Sequence, residues 1–281
     1  MAHYKILYNP LSNNKMGKTG AQAVEALIKG SEYEYIDWLS ITDKKSFFYA
    51  LKEDDKVILC GGDGTLNHLI NEVDLDALTN DVYYFATGTG NDFVNSIGGK
   101  KDSLILLNSY FHGLPTVTVN GNDYKFINGI GYGIDGYCCE VGDELREKSD
   151  KPVNYTSIAI KGLLFHFKPV NATITVDGKT DRFQKVWLAP TMYGTCYGGG
   201  MFPTPDQKRG EGKVSTMVYY GAGKVKSLMI FPSIFKGEHV KHTEMVKLYT
   251  GKQVTVKFDT PTALQIDGET FKNITEYTVK I

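Results

Sequence analysis

Residues 57–67 read Val-Ile-Leu-Cys-Gly-Gly-Asp-Gly-Thr-Leu-Asn, and no other stretch constrains this chain as strongly. A short apolar run stops at glycines set around one aspartate, and a helix-compatible stretch over 66–73 begins at once. That order predicts a buried strand, a tight loop and a helix N-terminus. Glycine opens backbone conformations closed to other residues and lets a ligand come close to the chain. The N–H groups and dipole of a helix N-terminus favour an anion, most simply a phosphate. Asp63 in such a loop repels a phosphate unless a cation lies between them, so the economical reading is a magnesium–nucleotide site. An ordinary strand-to-helix turn is the competing reading; Gly62, Asp63, Gly64 and Thr65 in this context favour the ligand site.

Composition narrows the setting. The 281 residues suffice for one large or two ordinary domains. Hydrophobic residues at 42% and charged residues at 22% match an ordinary globular protein. Lys+Arg 31 against Asp+Glu 32 leaves a formal charge of -1, so no global field recruits nucleic acid. The N-terminus enters a strand pattern without a signal segment, and no apolar run approaches the ~20 residues that span a bilayer. The expected location is cytoplasmic, with any membrane contact peripheral. Cys60, Cys138, Cys139 and Cys196 lack the spacing of a metal or redox pair and read as reduced core residues.

The chain changes grammar near residue 115. Before it, strands over 4–8, 33–38, 56–60 and 82–86 alternate with helices over 17–30, 43–52, 65–73, 92–97 and 103–112. Such alternation predicts a parallel sheet covered by helices, with ligands at the carboxyl ends of the strands. After it, half-buried strands are expected over 116–119, 124–128, 172–176, 183–189, 214–220, 246–250, 254–258 and 277–281, interrupted by helices over 138–148 and 155–165. Asp177-Gly178 is a hairpin signal. The expected domains are therefore 1–115, α/β, and 116–281, mainly antiparallel β.

Further motifs are individually modest. Asn9-Pro10-Leu11-Ser12-Asn13 ends the first strand and reads alone as a generic turn, with Lys15 and Lys18 nearby. Thr87-Gly88-Thr89-Gly90-Asn91-Asp92-Phe93 is a second glycine loop in which Asn91 or Asp92 is adequate as a helix cap. Gln265-Ile266-Asp267-Gly268-Glu269 reads as a turn with solvated carboxylates. The stretch 224–242 combines apolar residues with edge lysines, a pattern that suits either an anionic lipid surface or a buried helix with snorkelling lysines.

Taken in order, these motifs resemble the diacylglycerol kinase catalytic-domain family of lipid kinases. GGDGT is shared with sphingosine kinases and NAD kinases, whereas the G-T-x-N-D-F element resembles the diacylglycerol kinase branch. The resemblance implies an α/β nucleotide-binding domain of NAD kinase and phosphofructokinase type, a C-terminal β-sandwich, and an active site in the cleft between them. It implies ATP contacts from Asn9, Pro10, Leu11, Ser12, Asn13, Gly62, Asp63, Gly64, Thr65, Leu66, Asn67, His68, Thr89 and Asp92. Asp63 would act through Mg2+, and Glu269 of the Q-x-D-G-E element would be the catalytic base. The segment 198–213 is similar to the family's G-G-G-M…P-x-A-x-x-x-D-G, where the aspartate and two neighbouring carbonyls hold a structural magnesium. The matching positions are Glu211, Lys208 and Lys213. Departures are Asn13 for glycine, His68 for glutamate, Glu211 for aspartate and Ser215 for a further aspartate. Asn128 to Asp135 resembles the domain-junction element, in which Asp135 is given no catalytic role. Relatives commonly continue past Ile281 with one more strand.

The resulting expectation is an ATP-dependent diacylglycerol kinase making phosphatidic acid. Its expected partners are a lipid substrate at a membrane surface and a homodimer mate, with no nucleic acid. The rival readings are an NAD or sphingoid-base kinase and a nucleotide-binding regulatory protein of low turnover.

Overall fold

Val57, Ile58, Leu59 and Cys60 are all withdrawn from solvent, which places their strand at the centre of a sheet. In the computed structural model, which describes residues 3–88, 90–148 and 153–281, that strand is β3 (Asp55–Gly61). It is flanked by β1 (His3–Tyr8), β2 (Glu32–Asp37), β4 (Val82–Ala86) and β5 (Ile105–Leu106) in the order β2-β1-β3-β4-β5. The first four strands are parallel and β5 runs antiparallel to β4. Helices α1 (Ser12–Lys15), α2 (Gly17–Ala21), α3 (Lys44–Tyr49), α4 (Asp63–Glu72) and α5 (Asp92–Ser96) connect them.

Two expected helices in this half are corrected. The one over 17–30 is α2 followed by a 3-10 turn at Gln22–Ala26. The one over 103–112 is β5 and a 3-10 turn at Asn108–Tyr110. Here the sheet edge outcompetes the helix: Leu107 N–H donates to Val82 O at 2.7 Å, and Asn108 Oδ1 accepts Val82 N–H at 2.9 Å.

The chain divides into two compact units, 1–114 and 115–281. The second holds β6 (Thr116–Val119), β7 (Asn122–Lys125), β8 (Gly129–Tyr132), β9 (Val170–Val176), β10 (Lys179–Val186), β11 (Thr191–Met192), β12 (Val214–Tyr219), β13 (Val246–Gly251), β14 (Gln253–Ile266) and β15 (Glu269–Lys280). Their order is β13-β12-β11-β8-β14-β15-β6-β7, with β9 joining β10 to β14. Residues 254–258 of β14 pair with β9, whereas 264–266 pair with β8. The register against β15 shifts between Lys257 and Thr262, where Pro261 contributes no N–H to the ladder. The bend carries one strand from one part of the sheet to another, as a sandwich corner requires. Helices α6 (Ile134–Lys148), α7 (Tyr155–Lys161) and α8 (Lys224–Ile230) pack on a core of Trp187, Leu188, Met217, Ile230, Ile234 and their neighbours. The expected helix over 155–165 becomes α7 and a π-helical turn at Gly162–His166.

Candidate active site

The strand–loop–helix prediction holds at the first glycine loop. β3 ends at Gly61, Gly62 is the extended N-cap, and α4 starts at Asp63. The first intrahelical bond is Leu66 N–H to Gly62 O, so the N–H groups of Asp63, Gly64 and Thr65 lie ahead of it. At Gly88 a Cβ would stand 2.7 Å from Gly62 Cα. The two glycine loops therefore meet backbone to backbone, and a side chain at Gly88 would force them apart. Thr87 N–H to Gly61 O at 2.9 Å ties them further.

Asp63 fastens this pair. Its Oδ2 accepts Asp92 N–H at 3.0 Å and its Oδ1 accepts Phe93 N–H at 2.9 Å. The cap of α5 is thus a carboxylate supplied from the other loop. The local expectation of a cap from Asn91 or Asp92 is corrected: Asn91 sits left-handed at φ 53 and makes no side-chain cap. Its Nδ2 donates instead to Gly88 O at 2.9 Å. A Cβ on Gly90 would lie 3.6 Å from Asp92 Oδ2 and 3.7 Å from Asp63 Oδ2, so two carboxylates converge on one glycine. Like charges so placed suit a divalent cation. Among the described residues, no group of three or more His, Cys, Asp or Glu side chains could hold a metal. A magnesium ion here would therefore lean on nucleotide phosphates and water, its usual habit.

Asn9 joins the same surface. Its Nδ2 donates to Thr65 Oγ1 at 3.2 Å, and its Oδ1 accepts Leu11 N–H at 2.9 Å in an Asx turn. Ser12 Oγ donates to Asn9 O at 2.8 Å. A Cβ on Gly17 would stand 1.8 Å from Asn9 O, so the turn at Pro10 and Leu11 closes only over a glycine. The structure brings Asn9, Ser12, Gly62, Asp63, Gly64, Thr65 and Asp92 into one connected set of loops. It does not do the same for every predicted side chain. Leu66 is fully buried in the core, and His68 Nδ1 pairs with Glu72 Oε1 at 2.6 Å along the helix. Thr89 and the side chain of Asn13 lie outside the described residues.

In the second unit, Asp267 and Gly268 both take positive φ, 46° and 97°, between β14 and β15. Two left-handed residues make a tight hairpin turn. The expected solvated carboxylates are corrected for Asp267, which is buried. Its Oδ2 accepts Ile127 N–H at 2.6 Å, and its Oδ1 accepts Asn128 and Gly129 N–H at 2.9 Å each. Glu269, the next carboxylate, is exposed. Gln265 links the turn to the helix: its Oε1 accepts Gly268 N–H at 2.7 Å and its Nε2 donates to Asp135 Oδ2 at 2.9 Å. Burial pushes the Asp135 carboxyl up to about 6, against the lowering effect of the Gln265 bond. The sequence reading left Asp135 without a role; Gly131 was its only signal, since a Cβ there would overlap the Asp135 carboxylate.

The three residues matched to a structural magnesium are engaged otherwise. Lys208 O and Lys213 O accept hydrogen bonds from Gln207 Nε2 at 3.1 and 3.0 Å. Glu211 is 61% exposed and faces Lys208 Nζ at 3.7 Å. A donor amide on both carbonyls and a carboxylate in solvent do not fit a magnesium ion. His239 of the 224–242 stretch is buried, with Nε2 against Pro203 O at 3.0 Å. Val225 and Met229 on α8 are about 70% exposed, as is Phe165.

The family described as "Diacylglycerol kinase catalytic domain" matches residues 3–117, and "YegS C-terminal NAD kinase beta sandwich-like domain" matches 128–278. A diacylglycerol kinase of Bacillus subtilis is 24% identical over 283 residues, covering 96% of this chain and 90% of its own. A diacylglycerol kinase of Staphylococcus aureus is 26% identical over 275 residues, covering 94% and 85%. A crystal structure of a diacylglycerol kinase from Bacillus anthracis superposes with a TM-score of 0.62 at 16% identity, covering 99% and 93%. With both halves matched in order by these two domains, the chain belongs to the diacylglycerol kinase catalytic-domain family of lipid kinases.

Proposed function

We propose that this chain transfers the γ-phosphoryl group of ATP to the hydroxyl of diacylglycerol, forming phosphatidic acid. The observation that carries this reading is the fastening of two glycine loops by Asp63 at the N-terminus of α4. Backbone N–H groups and a helix dipole there suit a triphosphate. Magnesium, when bound with the nucleotide, would neutralise phosphate charge beside Asp63 and Asp92. Asn9 and Thr65 hold the first loop in shape, and Asp63 holds the second. An alcohol is a weak nucleophile, and Glu269 is the carboxylate proposed to take its proton. Gln265 and Asp267 define the turn from which Glu269 projects.

A lipid surface as the partner is supported by Phe165, Val225 and Met229. These large apolar side chains face solvent beside Lys224 and Lys226, and Lys224 Nζ donates to Leu164 O at 2.8 Å, joining the two segments. The test is a panel of acceptors in mixed micelles with labelled ATP, read by product mass. Phosphatidic acid from diacylglycerol is the expected product. Phosphorylation of NAD or of a sphingoid base in preference to diacylglycerol would replace the substrate assignment.

A further inference from the structure

We propose that the side-chain amide of Gln207 replaces the structural magnesium ion of the loop over 204–213, so that this half of the protein folds without a divalent cation. The loop turns at Thr204, whose carbonyl accepts Gln207 N–H at 3.0 Å, and it delivers the Gln207 side chain inward. Gln207 is 6% exposed. Its Nε2 reaches Lys213 O at 3.0 Å, Lys208 O at 3.1 Å and Tyr193 O at 3.4 Å. Two of these are the carbonyls that the family pattern assigns to magnesium. An amide has two N–H donors, and the two shorter contacts use them. Exchanging the amide nitrogen and oxygen would set an acceptor against carbonyl oxygens, so the surroundings dictate which atom points inward.

The substitutions agree with each other. In the pattern P-x-A-x-x-x-D-G, Pro205 places Gln207 at the alanine and Glu211 at the aspartate. A methyl group leaves room for an ion between the carbonyls; a glutamine amide fills it. With the ion gone, the acidic ligand has no task. Glu211 accordingly lies in solvent beside Lys208. At the further position where the resemblance expects aspartate, Ser215 Oγ makes a neutral pair with Thr250 Oγ1 at 2.8 Å. Arg209 supplies a second anchor, its guanidinium donating to Ile127 O and lying 4.9 Å from the centre of the Tyr193 ring. Magnesium needs near-octahedral oxygens at about 2.0–2.1 Å, whereas an amide donor is satisfied near 3 Å. The observed spacing is that of the amide.

The test is thermal unfolding of the full chain without nucleotide, in EDTA and in millimolar Mg2+, which needs no kinase turnover and so stands apart from the substrate assignment. The wild-type midpoint is expected to be the same in both. Gln207→Met keeps the side chain's length and removes its donors, and it should melt several degrees lower in EDTA and in Mg2+ alike. A loop magnesium at about a hundredfold its dissociation constant would instead raise the wild-type midpoint by roughly 5–10 °C. Such a rise overturns the proposal if it persists in Asp63→Ala, which removes the nucleotide-side carboxylate. Unfolding of Gln207→Met at the wild-type temperature overturns it as well.

Discussion

Asp267 and Glu269 are separated by one glycine and have opposite surroundings. Asp267 is buried under three backbone N–H groups from 127–129, while Glu269 is exposed. Asp267→Asn swaps an acceptor oxygen for a donor facing those N–H groups. The loss should be about 2–4 kcal/mol, measured by urea unfolding, because a buried donor left facing donors loses most of its hydrogen-bond energy. Glu269→Gln should unfold like wild type, bind ATP normally and lose turnover by roughly 100- to 10,000-fold. Wild-type turnover in that variant would remove Glu269 from the mechanism. Asp135 gives a pH signature. Its carboxyl is raised from an ordinary 3.8 to about 6, chiefly by burial. A raised carboxyl adds stability that is fully present below the unfolded value and is lost as pH rises through about 6. Asp135→Asn abolishes that loss. The stability of the variant relative to wild type should therefore climb by roughly 2–3 kcal/mol between pH 4 and 7 and stay level above.

At the scale of elements, the nucleotide region is a pair of loops held by one carboxylate. Asp63→Ala should uncap α5 and release the second loop. Faster amide exchange at Asp92 and Phe93 is the expected readout, together with a fall in turnover of about 100-fold or more. Unchanged exchange at those two amides would show that the loops are held by something else. These contacts explain why the sequence located the first loop well and the second poorly. GGDGT lies between a buried apolar run and a helical one, and local pattern suffices. The cap of α5 comes from 29 residues away, beyond the reach of any local rule. Likewise the expected helix over 103–112 has helical composition, yet β4 offers an unpaired edge that short-range periodicity does not reveal.

For the whole molecule, two needs for metal separate. If magnesium accompanies the nucleotide and Gln207 holds the 204–213 loop, both as proposed above, turnover should vanish in EDTA while the unfolding temperature stays constant. The proposed association with a lipid surface should depend on Phe165, Val225 and Met229, large apolar residues that face solvent. Replacing all three by serine should weaken binding to anionic vesicles in sedimentation assays, while micelle-free ATP binding is unchanged. Full vesicle binding by the triple variant would move the lipid contact elsewhere.

The sequence by itself determined the α/β half, the β-rich half, and the strand–glycine–helix loop, because each rests on apolar periodicity or glycine chemistry within a dozen residues. It also placed the family, through motifs kept in order. Only the tertiary structure decided what the motif side chains do. Burial turned Asp267 from a solvated turn residue into an anchor, and it turned Leu66 into core. A contact between loops made Asp63 a cap as well as a candidate magnesium partner. The Gln207 amide met two carbonyls that the family resemblance assigns to an ion. In each case the deciding partner comes from another segment of chain or from the fold of the loop itself, and the choice of hydrogen-bond partner is made by packing.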